Sequence, residues 1–122
     1  MTRFPDLTPE NMTAAQRRVH DNIISGPRGS FGGPFNPLLR SPEICDLAQK
    51  MGAYIRFEGR LPGKLRELAI LVVARHWRAQ YEWYVHSRIA VDEGLASEIV
   101  DAIATNAVPT FTDSAEEVVY RF

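Results

Sequence analysis

Apolar residues recur at intervals of three and four along much of the chain, the spacing that lines one face of a helix. Ile44, Leu47, Met51, Tyr54 and Ile55 follow it after Ser41-Pro42-Glu43, a cap residue followed by proline at a first helical position. The spacing predicts a helix from there to about Glu58. Thr8-Pro9-Glu10 has the same form, so a first helix is expected from Thr8 to Ile24, ending near Ser25-Gly26. Between the two, Gly26, Gly29, Gly32, Gly33, Pro27, Pro34 and Pro37 crowd one stretch, which is expected to be a long loop without regular structure.

The run Leu68 to Ala74 is apolar without interruption, and Ile70, Val72 and Val73 are β-branched, so taken alone it fits a buried strand. Its flanks decide for helix. Lys64, Glu67, Arg75 and Arg78 fall on one helical stripe, which predicts a central helix buried nearly all round with one exposed polar seam. A further helix is expected from Ala79 to Glu93, stopped by Gly94 in the left-handed conformation, and a shorter one from Ala96 to Ala104 with Ile99, Val100 and Ile103 inward. After Pro109, Asp113-Ser114 can cap a last segment in which Ala115, Val118, Val119 and Phe122 share a face. That segment stops after about two turns without a capping signal. Either the helix is longer in a parent protein cut at 122, or its stripe packs on a partner chain.

The pattern therefore predicts an all-α protein, and 122 residues with 45% hydrophobic content fit a single domain over 1–122 with one core. A domain of this size buries roughly two-thirds of the surface its unfolded chain exposes. Fourteen basic and fifteen acidic residues leave a net charge of −1, which provides no long-range field for nucleic acid or anionic lipid. Residues 1–16 contain no apolar stretch of leader length, and no run approaches the roughly 20 apolar residues of a membrane span. The expectation is a cytoplasmic protein with no nucleic-acid or membrane partner.

Cys45 is the only cysteine, so no intrachain disulfide, CxxC couple or multi-cysteine zinc site can form, and it reads as a small buried hydrophobe. Candidate chemistry gathers instead on the two central helices. Glu82 and His86 stand at i and i+4 on one face, and antiparallel pairing of the helices would bring Glu67 toward them, with Arg75 and His76 beside the connecting turn. On spacing alone these residues also suit a helix-stabilising pair and an ion-paired seam. A metal held by Glu82, His86 and His76 lacks both thiolates and the HExxH pattern, so none is expected. The loop GPRGSFGG lacks the GK[ST] ending of a phosphate-binding loop. It either turns the chain or closes Arg28, Gly29 and the amides around Gly32-Gly33 over an acidic substrate.

From Arg66 to Ile99, RELAILVVARHWRAQYEWYVHSRIAVDEGLASEI resembles the core helical hairpin of the carboxymuconolactone decarboxylase and alkylhydroperoxidase D superfamily. The hydroperoxidase relatives carry a glutamate, a CxxC starting twelve positions later, and a histidine four after the second cysteine. Glu67 and His86 match the glutamate and histidine, while Ala79 and Glu82 occupy the cysteine positions. The preceding GPRGSFGGPFNPLLRSPE is similar to the branch with EWxxH in place of CxxC. The resemblance implies an alkylhydroperoxidase D-like helical bundle with a central buried hairpin, assembled as a homotrimer or hexamer whose interfaces help wall the pocket. Trp77, Tyr81, Trp83 and Tyr84 suit such core or subunit contacts.

Without the cysteine pair, no thiolate is available to attack a peroxide and none to resolve the sulfenate. A peroxiredoxin-type antioxidant activity is accordingly the disfavoured alternative, and a non-catalytic oligomeric binding protein a third. The decarboxylase side of the family implies a cofactor-independent lyase acting on a small carboxylated lactone or related acid. Glu67, Glu82 and His86 would then handle protons, with Arg28, Arg75, His76 and Tyr81 as candidate substrate-binding residues.

Overall fold

The structure, a computed structural model, describes residues 4, 5 and 7–122, so the reading of residues 1–16 falls partly outside the described residues. The described residues form helices and no strand, and none of those helices is long and apolar enough to cross a membrane. They gather into two compact units, Met1–Gly59 and Arg60–Phe122. In place of one core, the buried apolar residues form two clusters, one within each unit.

In the first unit α1 spans Ala14–Ser25, five residues later than the cap at Thr8 predicts. Thr13 is the reason. Its hydroxyl accepts from the Gln16 amide while the Gln16 side chain accepts from the Thr13 amide, a reciprocal capping box. Thr8 instead closes a turn, its carbonyl accepting from the amides of Asn11 and Met12. The glycine- and proline-rich stretch is a loop, except that Phe35–Leu38 winds into a short helix, α2, because Phe35 is drawn into the cluster with Val19, Ile23, Leu39 and Cys45. Gly29 and Gly33 take positive φ values of 68° and 56°, so these two glycines do the turning.

The next helix, α3, spans Pro42–Ala53 and continues as a π-helical segment over Tyr54–Glu58, as far as the sequence predicts but with a wider last turn. Its apolar stripe is not the buried face. Ile44, Leu47, Met51 and Tyr54 are each more than half exposed, and Cys45 is the residue of α3 that is fully buried.

In the second unit α4 spans Gly63–His76 and α5 spans Gln80–Asp92, an antiparallel hairpin joined at Trp77–Ala79, with α6 over Ser97–Ala104 and α7 over Ser114–Arg121. Leu68 and Leu71 on α4 pack with Ala90, Leu95, Ile99, Val100 and Ile103, each large aliphatic side chain contributing about 1.5 to 3 kcal/mol. Gly94 has φ 92°, the left-handed stop expected after α5. Gly63 is less strictly held, because its near neighbour is the movable end of a side chain. A Cβ there would lie 2.0 Å from a carboxylate oxygen of Glu93.

The polar seam of α4 is packed rather than exposed. Lys64 donates to Asp113 at 3.0 Å and meets the buried Glu116 at 2.7 Å, which pins α7. Glu67 faces α5, and Arg75 Nε donates to the Ala104 carbonyl of α6 at 2.9 Å. It is apolar Val73 that is exposed, at 57%. On α7, Asp113 caps as expected by accepting from the Ala115 amide, but the helix is rotated from the predicted face. Val119 and Tyr120 pack on the core with Glu116 buried, while Val118 and Phe122 are exposed, because pairing with Lys64 fixes the turn that Glu116 occupies.

Candidate active site

Glu67 occupies the second turn of α4, and the hairpin brings His86 of α5 against it, with Glu82 one turn before His86 on the same helix. Its side chain is wholly inaccessible to solvent, a position that a carboxylate holds only when its oxygens are hydrogen-bonded. Both are. Oε1 accepts from Arg66 Nε at 3.1 Å and Oε2 pairs with His86 Nδ1 at 2.6 Å. Burial pushes the Glu67 pKa up, but the hydrogen bonds from His86 and Arg66, together with their charges, outweigh it and hold the carboxyl below its ordinary value.

An ionised Glu67 is acceptor-only, which assigns a proton to His86 Nδ1. The other ring nitrogen, Nε2, is therefore the one left for proton exchange. Glu82 Oε2 lies 3.3 Å from it, at the outer end of the pair, with 40% of its side chain exposed against 17% for His86. Arg66, itself buried, reaches on to Glu93 at 3.6 Å. The result is a graded line from a dry carboxylate through an oriented imidazole to a wet carboxylate. It can hold a ring in one tautomer and pass a proton at its solvent end.

Glu67, Glu82 and His86 thus come together as the sequence spacing implies. Of the candidate binding residues, the three in the same unit do not join them. Arg28 lies in the first unit, its guanidinium 4.7 Å from the Phe35 ring centroid, its pKa lowered by burial and by the like charge of Arg56. Arg75 is bound to the Ala104 carbonyl, His76 is exposed and packs edge-on against Trp77, and Tyr81 is 54% exposed. Among the described residues none of Arg75, His76 and Tyr81 contacts the triad by hydrogen bond or ion pair. Arg66 and Glu93 are the residues that sequence reasoning passed over. A basic side chain next to Glu67 in so apolar a helix was the available signal for Arg66, whereas Glu93 reaches the site only through the fold.

A family model described as the carboxymuconolactone decarboxylase family matches residues 42–122, from the start of α3 to the last residue of the chain. The chain belongs to that family. Within this carboxymuconolactone decarboxylase family member, the match includes the whole hairpin that carries Glu67, Glu82 and His86. No curated protein and no solved structure matches the chain.

Cys45, the remaining candidate nucleophile, is fully buried beneath α1 and α2 in the first unit. Burial, and then the charge of Asp46, push its thiol pKa up, which lowers the thiolate fraction that redox chemistry needs. Among the described residues no group of three or more His, Cys, Asp or Glu side chains is arranged to hold a metal ion.

Proposed function

We propose that this family member is a cofactor-independent carboxy-lyase, or a related proton-transfer enzyme, acting on a small carboxylated lactone or acid. The observation that carries the reading is the 2.6 Å contact between the buried Glu67 carboxylate and His86 Nδ1, which leaves Nε2 at the Glu82 end to exchange protons. In the reaction, the bond between the substrate carbon and its carboxylate breaks, carbon dioxide leaves, and the electron pair is delocalised into a conjugated carbonyl. The protonated Nε2 delivers a proton to carbon, and the exposed Glu82 restores it from water. A firm grip on the departing carboxylate would stabilise the ground state more than the transition state, so the step does not require a cation beside the triad.

General acid catalysis of this kind contributes roughly 10²- to 10⁴-fold. In a preparation turning over such a substrate, His86→Asn is expected to lower kcat at least about a hundredfold, while Cys45→Ser leaves it unchanged. Full activity in the Asn variant overturns the lyase reading. Loss of peroxide consumption in the Cys45 variant would favour the antioxidant reading, which the burial of that thiol weighs against. Ligand binding without any product would favour a non-catalytic binding protein.

A further inference from the structure

At the turn joining α4 to α5, a cavity of about 370 Å³ is lined by Ala74, Arg75, Arg78, Gln80, Trp83 and Ala104. All belong to the second unit. Trp83 is half-buried against the core and the two alanines are small, so one part of the wall is flat and apolar. The other part carries two positive charges. Arg75 is fixed through Nε, which donates to the Ala104 carbonyl at 2.9 Å and leaves its terminal nitrogens to meet a ligand. Among the described residues no ion pair to a carboxylate engages Arg75 or Arg78, nor Arg60 or Arg88 of the same unit, and it is Arg75 and Arg78 that line the cavity.

The backbone adds an independent observation. Arg78 has φ 52°, the left-handed region that a long side chain rarely adopts, and it sits at the turn where glycine or asparagine would relieve the strain. The left-handed turn itself ends α4, the Ala79 amide donating back to the Ala74 carbonyl at 2.8 Å, but filling it with an arginine that lines the cavity, rather than with glycine, is a cost that the turn does not require.

We propose that this cavity binds a flat, conjugated carboxylate, with Arg75 and Arg78 on the carboxylate and the ring against the indole of Trp83. Arg guanidinium groups match a carboxylate through paired, parallel hydrogen bonds, and an indole face matches a conjugated ring. The volume lies within the range of small-ligand sites. Arg75 stands eight residues along α4 from Glu67, roughly 12 Å by helical rise, so the carboxylate end lies away from Glu67, while Trp83, three residues before His86 on α5, holds the ring end on the side of the imidazole. The cavity therefore neighbours the triad without including Glu67, Glu82 or His86 in its lining, and the binding proposal does not rest on the lyase reading.

Benzoate is the probe and Trp83 the reporter. The chain has two tryptophans, and the exposed Trp77 can be replaced, so Trp77→Phe leaves Trp83 as the single indole. In that background benzoate is expected to change the fluorescence saturably. Adding Arg75→Gln or Arg78→Gln should weaken the half-saturation concentration about tenfold or more, and adding His86→Asn should leave it within about twofold. Should the Arg75 variant fail to fold, Arg78→Gln decides alone, because the Arg78 side chain makes no bond within the protein that the fold needs. A response that does not saturate, or one insensitive to Arg78→Gln, overturns the proposal. So does equal binding of inorganic phosphate, which would leave the indole without a role, or loss of binding in His86→Asn, which would place the ligand at the triad.

Discussion

At the scale of single residues, Glu67 links stability to chemistry. Its carboxylate is dry and satisfied by two cationic or cation-capable partners, so removing it takes one partner from Arg66 and leaves the His86 Nδ1 proton without its acceptor in a buried setting. Breaking a buried pair from one side costs about 3 to 5 kcal/mol, and Glu67→Ala should lower the urea midpoint accordingly. The pH dependence has a definite sign. Because the native carboxyl titrates below 4.5, the value of a free glutamate, the unfolded chain takes up this proton first as the solution is acidified. The stabilisation is complete above that value and is lost as pH falls through the lowered native one. Denaturation midpoints measured from about pH 6 down to pH 3 should therefore fall less steeply in Glu67→Gln than in the parent. Parallel slopes would mean that Glu67 does not carry this linkage.

Among the helices and turns, the two left-handed residues of the hairpin region make an instructive pair. Gly94 is the residue a left-handed stop calls for, and it was legible in the sequence together with the extents of α5 and α6. Arg78 has the same handedness without the glycine. A non-glycine residue there costs roughly 1 to 2 kcal/mol, partly offset in a glycine variant by about 0.4 to 1 kcal/mol of unfolded-chain entropy. Arg78→Gly should leave the protein equally stable or up to about 1.6 kcal/mol more so, measured by thermal or urea unfolding, while losing benzoate affinity. A clearly destabilised variant would show that the arginine is kept for the fold rather than for a ligand. The same comparison explains what the sequence did and did not disclose. Periodicity and caps located most of the helices, and spacing brought Glu67 to His86, because these depend on neighbours along the chain. Rotation of α3 and α7 did not follow, since Cys45 and Glu116 are chosen as the inward residues by contacts from distant segments. The start of α1 was misplaced because two threonines compete as caps, and only Thr13 has a glutamine three residues on to answer it.

At the scale of the whole molecule, exposed apolar surface is the feature that the first unit by itself leaves unexplained. Ile44, Leu47, Met51 and Tyr54 keep the three-and-four spacing of a buried helix face, yet each is more than half exposed, and Leu47 is 65% exposed. Scattered apolar residues need no explanation, but a continuous stripe of them on one helix marks a surface that associates. A second copy of this chain is the occupant that the family resemblance implies, and we propose that α3 is the face it uses. A charge placed in the middle of such an interface costs several kcal/mol when it is buried without a partner. Leu47→Lys should therefore lower the molar mass read by light scattering after size exclusion from that of an oligomer to that of the 13.8 kDa chain. Its helical circular dichroism should stay unchanged, because Leu47 makes no contribution to the buried cluster of the first unit. A parent protein already running as a monomer would overturn the assembly reading outright. An oligomer undisturbed by the lysine would move the interface elsewhere, with the exposed Val73, Trp77 and Tyr84 of the hairpin as the next face to charge.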